Sequence, residues 1–151
     1  MHFSRLPVDD ELEIRSLFAR YGHLADAGDP NFVQLFTDDA TWTRLNSPPA
    51  TKGGSGLPPE TIQGHARLGA LMEDVMKKKF NQRMHHQMTD FYVVPGANAD
   101  DAMGHARALI TDWRDGAGKI AMFGKYDVRF RRASIGWRIS DVKVRVLPSQ
   151  E

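Results

Sequence analysis

The sequence predicts an α+β domain: helices lead, and a curved antiparallel sheet follows. Two observations predict it. Apolar residues recur at helical spacing before residue 80, and from Arg83 onward the chain reads as long strands separated by turns. At 151 residues the chain fits one domain, 1–151, with enough length to bury a core.

Asp10 followed by Glu13, just after Pro7, has the form of a capping box. Behind it Ile14, Leu17, Phe18, Tyr21, Leu24 and Ala25 share a helix face, with Glu11, Arg15 and Arg20 on the far side. This helix should stop at Gly28, within Asp26-Ala27-Gly28-Asp29-Pro30. A short helix over Asn31–Leu35 and a short strand over Thr41–Leu45, carrying Trp42, follow. Residues 46–60 hold four prolines and three glycines and read as a flexible irregular loop. A second helix over His65–Lys79 buries Leu68, Leu71, Met72, Val75 and Met76. Its closing Lys77-Lys78-Lys79 suits a helix C-terminus, where cations are favoured.

Four strands then span Arg83–Val94, Ala102–Arg114, Ile120–Ala133 and Trp137–Leu147. Hairpins centred near Asn98 and Ala117 set His86 opposite Ile110 and Ile110 opposite Gly124. Met84, His86, Met88, Asp90 and Tyr92 then share one face with Gly104, Ala106, Ala108 and Ile110. Met122, Gly124, Tyr126, Val128 and Phe130 continue that face. His85, Gln87, Lys125, Asp127, Arg129 and Arg131 point the other way, to solvent. The small residues of the middle strand should leave a hollow, and an apolar hollow with few polar groups is the form of a small-molecule pocket. The last strand adds Trp137, Ile139, Asp141, Lys143 and Arg145 to the inner face, an assignment that any bulge would reverse.

Composition narrows the function. A formal net charge of +1, from 20 basic and 19 acidic residues, gives no electrostatic reason for a nucleic-acid or membrane partner. The absence of cysteine removes disulfides, thiolate metal sites and a cysteine nucleophile. No run approaches a membrane span and the N-terminus has no apolar signal region, so the expected location is cytoplasmic. His105 falls on the outer face, away from His86, which speaks against a three-histidine metal site. The polar groups expected at the hollow are His86, Asp90 and Tyr126, with Lys143 and Arg145 from the last strand. Met88 and Trp42 complete the expected lining. A histidine oriented by a carboxylate is a good general base.

The stretch from Tyr21 through Asp26 and Asp29 to Leu35-Phe36-Thr37-Asp38-Asp39-Ala40 resembles the opening of the SnoaL-like and scytalone-dehydratase-like proteins. These belong to the nuclear-transport-factor-2-like superfamily, which implies a cone-shaped α+β barrel with the curved sheet wrapped around the N-terminal helices. The segments Arg83 to Asp90, Gly124-Lys125-Tyr126-Asp127 and Gly136-Trp137-Arg138-Ile139 resemble its later strands. The resemblance implies an Asp26–His86 pair in which His86 moves a proton, Asp26 orients it, and Tyr21 assists the departing group. It implies a cofactor-independent lyase or isomerase, dehydratase-like, with no metal, acting on a small, largely apolar cyclic substrate. Homodimers or homotrimers are expected by analogy. The pattern departs from scytalone dehydratases proper: Ile110 or Thr111 stands for a second histidine, Gly124 for a serine, and Ala25 for a tyrosine. These departures speak against scytalone itself as substrate. The alternative is a non-catalytic small-molecule-binding or oligomerisation domain of the same fold. A beta-subunit-like partner of an oxygenase would need an apolar outer sheet face, and Lys125, Arg129 and Arg131 make that face charged.

Overall fold

Helix α1 (Val8–Ala27) is laid against the sheet by its apolar stripe of Ile14, Phe18, Tyr21 and Ala25. It ends at Gly28, whose φ of 58° is the left-handed cap that returns two N–H groups to Leu24 and Ala25. The computed structural model describes residues 4–46 and 57–148. A 3-10 turn (Pro30–Leu35) leads into β1 (Phe36–Arg44), then β2 (Glu60–Gln63), helix α2 (Gly64–Ala70) and a wider π-helical continuation (Leu71–Lys79). Strands β3 (Met84–Pro95), β4 (Asp101–Asp112), β5 (Lys119–Ala133) and β6 (Gly136–Pro148) complete the chain.

The sheet order is β2-β1-β6-β5-β4-β3. The four long strands form the expected antiparallel meander, whereas β1 joins β6 in parallel, so the curved sheet is mixed and does not close. Strand β2 begins where the segment expected to be loop ends and shares only Glu60 with it; residues 47–56 of that segment lie outside the described residues.

Three local expectations are corrected. Asp10 and Glu13 form no capping box: the helix starts at Val8, and both acids reach across to the β5–β6 hairpin instead. Asp10 meets Arg132 at 2.7 Å and the Trp137 indole at 3.1 Å, and Glu13 accepts the Trp137 backbone N–H at 2.8 Å. In β3 the pairing with β4 shifts between Thr89 and Tyr92, where Asp90 takes a φ of 52°. That bulge turns Phe91 and Val93 inward and leaves Asp90 and Tyr92 outside. In β6 the pairing shifts at Ser140, which turns Val142, Val144 and Val146 inward and puts Lys143 and Arg145 on the solvent face.

The β4–β5 register slides by two residues from the expected one, with Ile110 opposite Met122 and Ala108 opposite Gly124. A slip of two preserves which side chains face inward. The hollow over the small residues is filled by aromatic rings. A Cβ on Gly104 would lie 2.7 Å from Phe91 and 2.8 Å from Phe130, and one on Gly124 would lie 2.8 Å from Tyr126.

Candidate active site

Asp26 sits in the last turn of α1, and β3 passes close beneath that turn because Gly22 has no side chain. A Cβ there would be 3.2 Å from Met88 and 3.3 Å from the His86 carbonyl. The approach lets one carboxylate engage one residue twice. The His86 backbone N–H donates to Asp26 Oδ2 at 2.9 Å, and His86 Nδ1 lies 2.5 Å from Asp26 Oδ1. Both side chains are 14% exposed. A carboxylate can only accept, so Nδ1 carries the proton, and in the neutral imidazole Nε2 is the atom left to act as base. His85 points outward near Trp113, with Nδ1 3.7 Å from the same carboxylate.

His86 lines a cavity of about 90 Å³ between the sheet and the π-helical segment. The sheet supplies Met84, Ile110, Met122, Tyr126, Val144 and Val146, and the helical side supplies Leu71, Met72, Val75, Met76 and Phe80. Its lining is apolar except for Tyr21, Trp42, Arg44, His86 and Tyr126. The Trp42 indole donates to the Tyr21 hydroxyl oxygen at 2.8 Å, which leaves the Tyr21 O–H free to donate. Burial pushes both phenols, Tyr21 and Tyr126, well above the ordinary tyrosine value, so both stay neutral donors.

The structure therefore brings Asp26, His86, Tyr21, Trp42 and Tyr126 to one place. It separates the other expected lining residues. Met88 packs against Gly22 under α1. Asp90 is exposed and pairs with Arg107 at 3.3 Å, because the bulge reverses its face. Lys143 and Arg145 lie outside through the Ser140 bulge. Arg44 is the lining residue that sequence reasoning missed; it is 6% exposed and shares the inner face of β1 with Trp42. Alternation from Trp42 puts it on the same strand face, but a charged side chain at a strand end gives no local signal of burial. Among the described residues, no group of three or more His, Asp or Glu side chains converges as a metal-ligand set.

Comparison with known proteins places this geometry in context. Residues 7–143 match the model of the family described as SnoaL-like domain. No curated protein sequence matches significantly. Among solved structures, an NTF2-like protein with a cystatin-like fold from Novosphingobium aromaticivorans superposes with a TM-score of 0.77. It is 23% identical, with 95% of this chain and 85% of that chain covered. A protein from Kribbella flavida is 27% identical at a TM-score of 0.71, with 95% of this chain and 94% of that one covered. A candidate beta subunit of an aromatic-ring-hydroxylating dioxygenase from N. aromaticivorans has a TM-score of 0.71 at 19% identity, covering 93% and 94% of the two chains.

Proposed function

This chain belongs to the SnoaL-like domain family, and from that premise we propose that it is an acid–base enzyme, a lyase or isomerase acting on a small cyclic ketone. The observation that carries the reading is the Asp26–His86 pair at the wall of an apolar cavity, with Nδ1 turned to the carboxylate. Nε2 takes the proton from the carbon next to the substrate carbonyl, and the electron pair of that C–H bond runs into the carbonyl as an enolate. Asp26 holds the ring in the required tautomer and balances the imidazolium that forms. In a dehydration, the enolate then expels the β-hydroxyl. That group leaves as water with the proton His86 took, and Tyr21 donates a hydrogen bond to it on departure. In an isomerisation the same proton returns to a different carbon. The protein side chains carry every proton in this scheme.

The cavity's volume of about 90 Å³ is smaller than the roughly 150 Å³ that accommodates benzene in a protein core. Four of its lining residues, Met72, Met76, Met84 and Met122, are unbranched and flexible. Their rotamer changes are the means by which a single ring enters.

A cyclic β-hydroxyketone tests the reading, because its dehydration to a conjugated enone is followed by ultraviolet absorbance. His86→Ala and Asp26→Asn should each lower turnover on the order of 10³-fold or more while the chain still folds and unfolds cooperatively. Unchanged turnover in both variants would sink the acid–base role of this pair, and no turnover in the wild-type chain would leave only a binding domain.

A further inference from the structure

Arg44 ends β1 with its side chain turned inward, where Trp42 lies two residues before it and Val144 is its neighbour on β6. Only 6% of it is exposed, and it lines the same cavity as His86. A guanidinium has five N–H donors. Among the described residues, one acceptor takes a hydrogen bond from it, the Pro58 carbonyl at 2.6 Å from Nη1. Glu60 approaches only to 3.9 Å, and its other oxygen is engaged by Arg67 at 3.1 Å. The carboxylate of Asp26 is spent on His86, and the neutral phenols of Tyr21 and Tyr126 bring no charge. Burial disfavours the charged form of Arg44, because water is removed from the guanidinium faster than acceptors replace it. Its Cζ lies over the Trp42 ring, 5.1 Å from the centroid, a cation–π contact.

We propose that Arg44 is the oxyanion-binding residue of this cavity, so that its ligand is a small ring compound presenting an oxygen that bears, or takes up, negative charge. The proposal rests on the reading of the cavity as an acid–base site and gives that site its second half. As His86 Nε2 removes the α-proton, the electron pair of the C–H bond moves to the carbonyl oxygen, and Arg44 meets the charge there. A donor held in advance in a desolvated site stabilises such a charge far more than water does. Arginine suits the position because its forked donors keep one hydrogen bond to the backbone while others turn to the ligand.

The test reads binding rather than turnover, so it stands apart from the fate of the acid–base reading. Para-nitrophenolate, an enolate-like oxyanion on one ring, is titrated at a fixed pH where it is ionised, alongside uncharged nitrobenzene of nearly the same shape. The wild-type chain should bind para-nitrophenolate about tenfold or more tightly than nitrobenzene. Arg44→Met should remove that ratio and keep nitrobenzene affinity, Arg44→Lys should retain part of it, and His86→Ala should leave it intact. If Arg44→Met loses both probes, the ratio is read on Arg44→Gln, which keeps an N–H for Pro58 and should also lose the preference. A preference that survives both Arg44→Met and Arg44→Gln overturns the proposal, as does one lost in His86→Ala alone. Failure of the wild-type chain to prefer the anion overturns it as well.

Discussion

Asp26 spends both carboxylate oxygens on His86, one on the backbone N–H and one on the ring. An amide at that position offers one accepting oxygen, so it cannot satisfy both bonds without presenting N–H to N–H. Asp26→Asn is therefore expected to lower kcat on the order of 10³-fold or more, with KM little changed, in steady-state kinetics on the chain's substrate. Tyr21 differs, because its hydroxyl also accepts the buried Trp42 indole N–H. Tyr21→Phe should strand that donor and cost about 1–3 kcal/mol in chemical denaturation, together with a fall in turnover. Asp26, His86 and Tyr21 are legible in the sequence through resemblance, because their types and spacing survive in the chain. Arg44 is not picked out that way, since a lone arginine at the end of a short strand reads as a surface residue until its face is known.

At the scale of elements, single residues decide which way whole strands face. Ser140 is the extra residue in β6 that lets Trp137 and Ile139 on one side of it share a face with Val142, Val144 and Val146 on the other. Deleting Ser140 should return Asp141, Lys143 and Arg145 to the inner face, where the cost of burying charge abolishes cooperative unfolding in a thermal melt. The π-helical segment works through its wider winding. It presents Leu71, Met72, Val75 and Met76 together to the cavity. Gly22 sets the distance between α1 and β3. Gly22→Ala gains up to about 1 kcal/mol of helix propensity, yet its Cβ would sit 3.2 Å from Met88 and 3.3 Å from the His86 carbonyl, so β3 must shift by a few tenths of an ångström at His86. The expected outcome is a loss of turnover larger than any change in melting temperature, measured on the same preparation.

Across the whole molecule, Asp10 and Asp39 tie elements that are distant in sequence, while the buried Asp112 makes a local pair at a strand end. Asp10 binds α1 to the β5–β6 hairpin, Asp39 binds β1 to β5 through Arg131, and Asp112 pairs with Arg114 beyond the end of β4. Hydrogen bonds from Arg132 and Trp137 hold Asp10 below the usual carboxylate value. The nearby Thr37 hydroxyl and the Arg131 ion pair do so for Asp39, and a bond from Arg114 does so for Asp112. For groups with depressed values in the fold, stability is present above the ordinary value of 3.8 and lost as pH falls below it through the lowered values. Melting temperatures should accordingly hold to just above that point and drop beneath it, with Asp10→Asn removing part of the drop. A transition temperature that falls steeply above pH 5 would contradict this assignment.

The amino-acid sequence by itself determined the order of helices before sheet, the four long strands, and the alternation that makes one sheet face apolar. Periodicity, turn residues and composition are local, and each is written within a few neighbouring positions. The tertiary structure decided the two bulges, the parallel junction of β1 with β6, the place of the cavity, and the inward turn of Arg44. A bulge adds one residue to one strand only, and nothing in the local pattern marks which residue it is. The cavity depends likewise on which rings, Phe91 and Phe130 among them, arrive from elsewhere to fill the space that small residues leave. Those are packing outcomes of the whole chain, and only the folded molecule contains them.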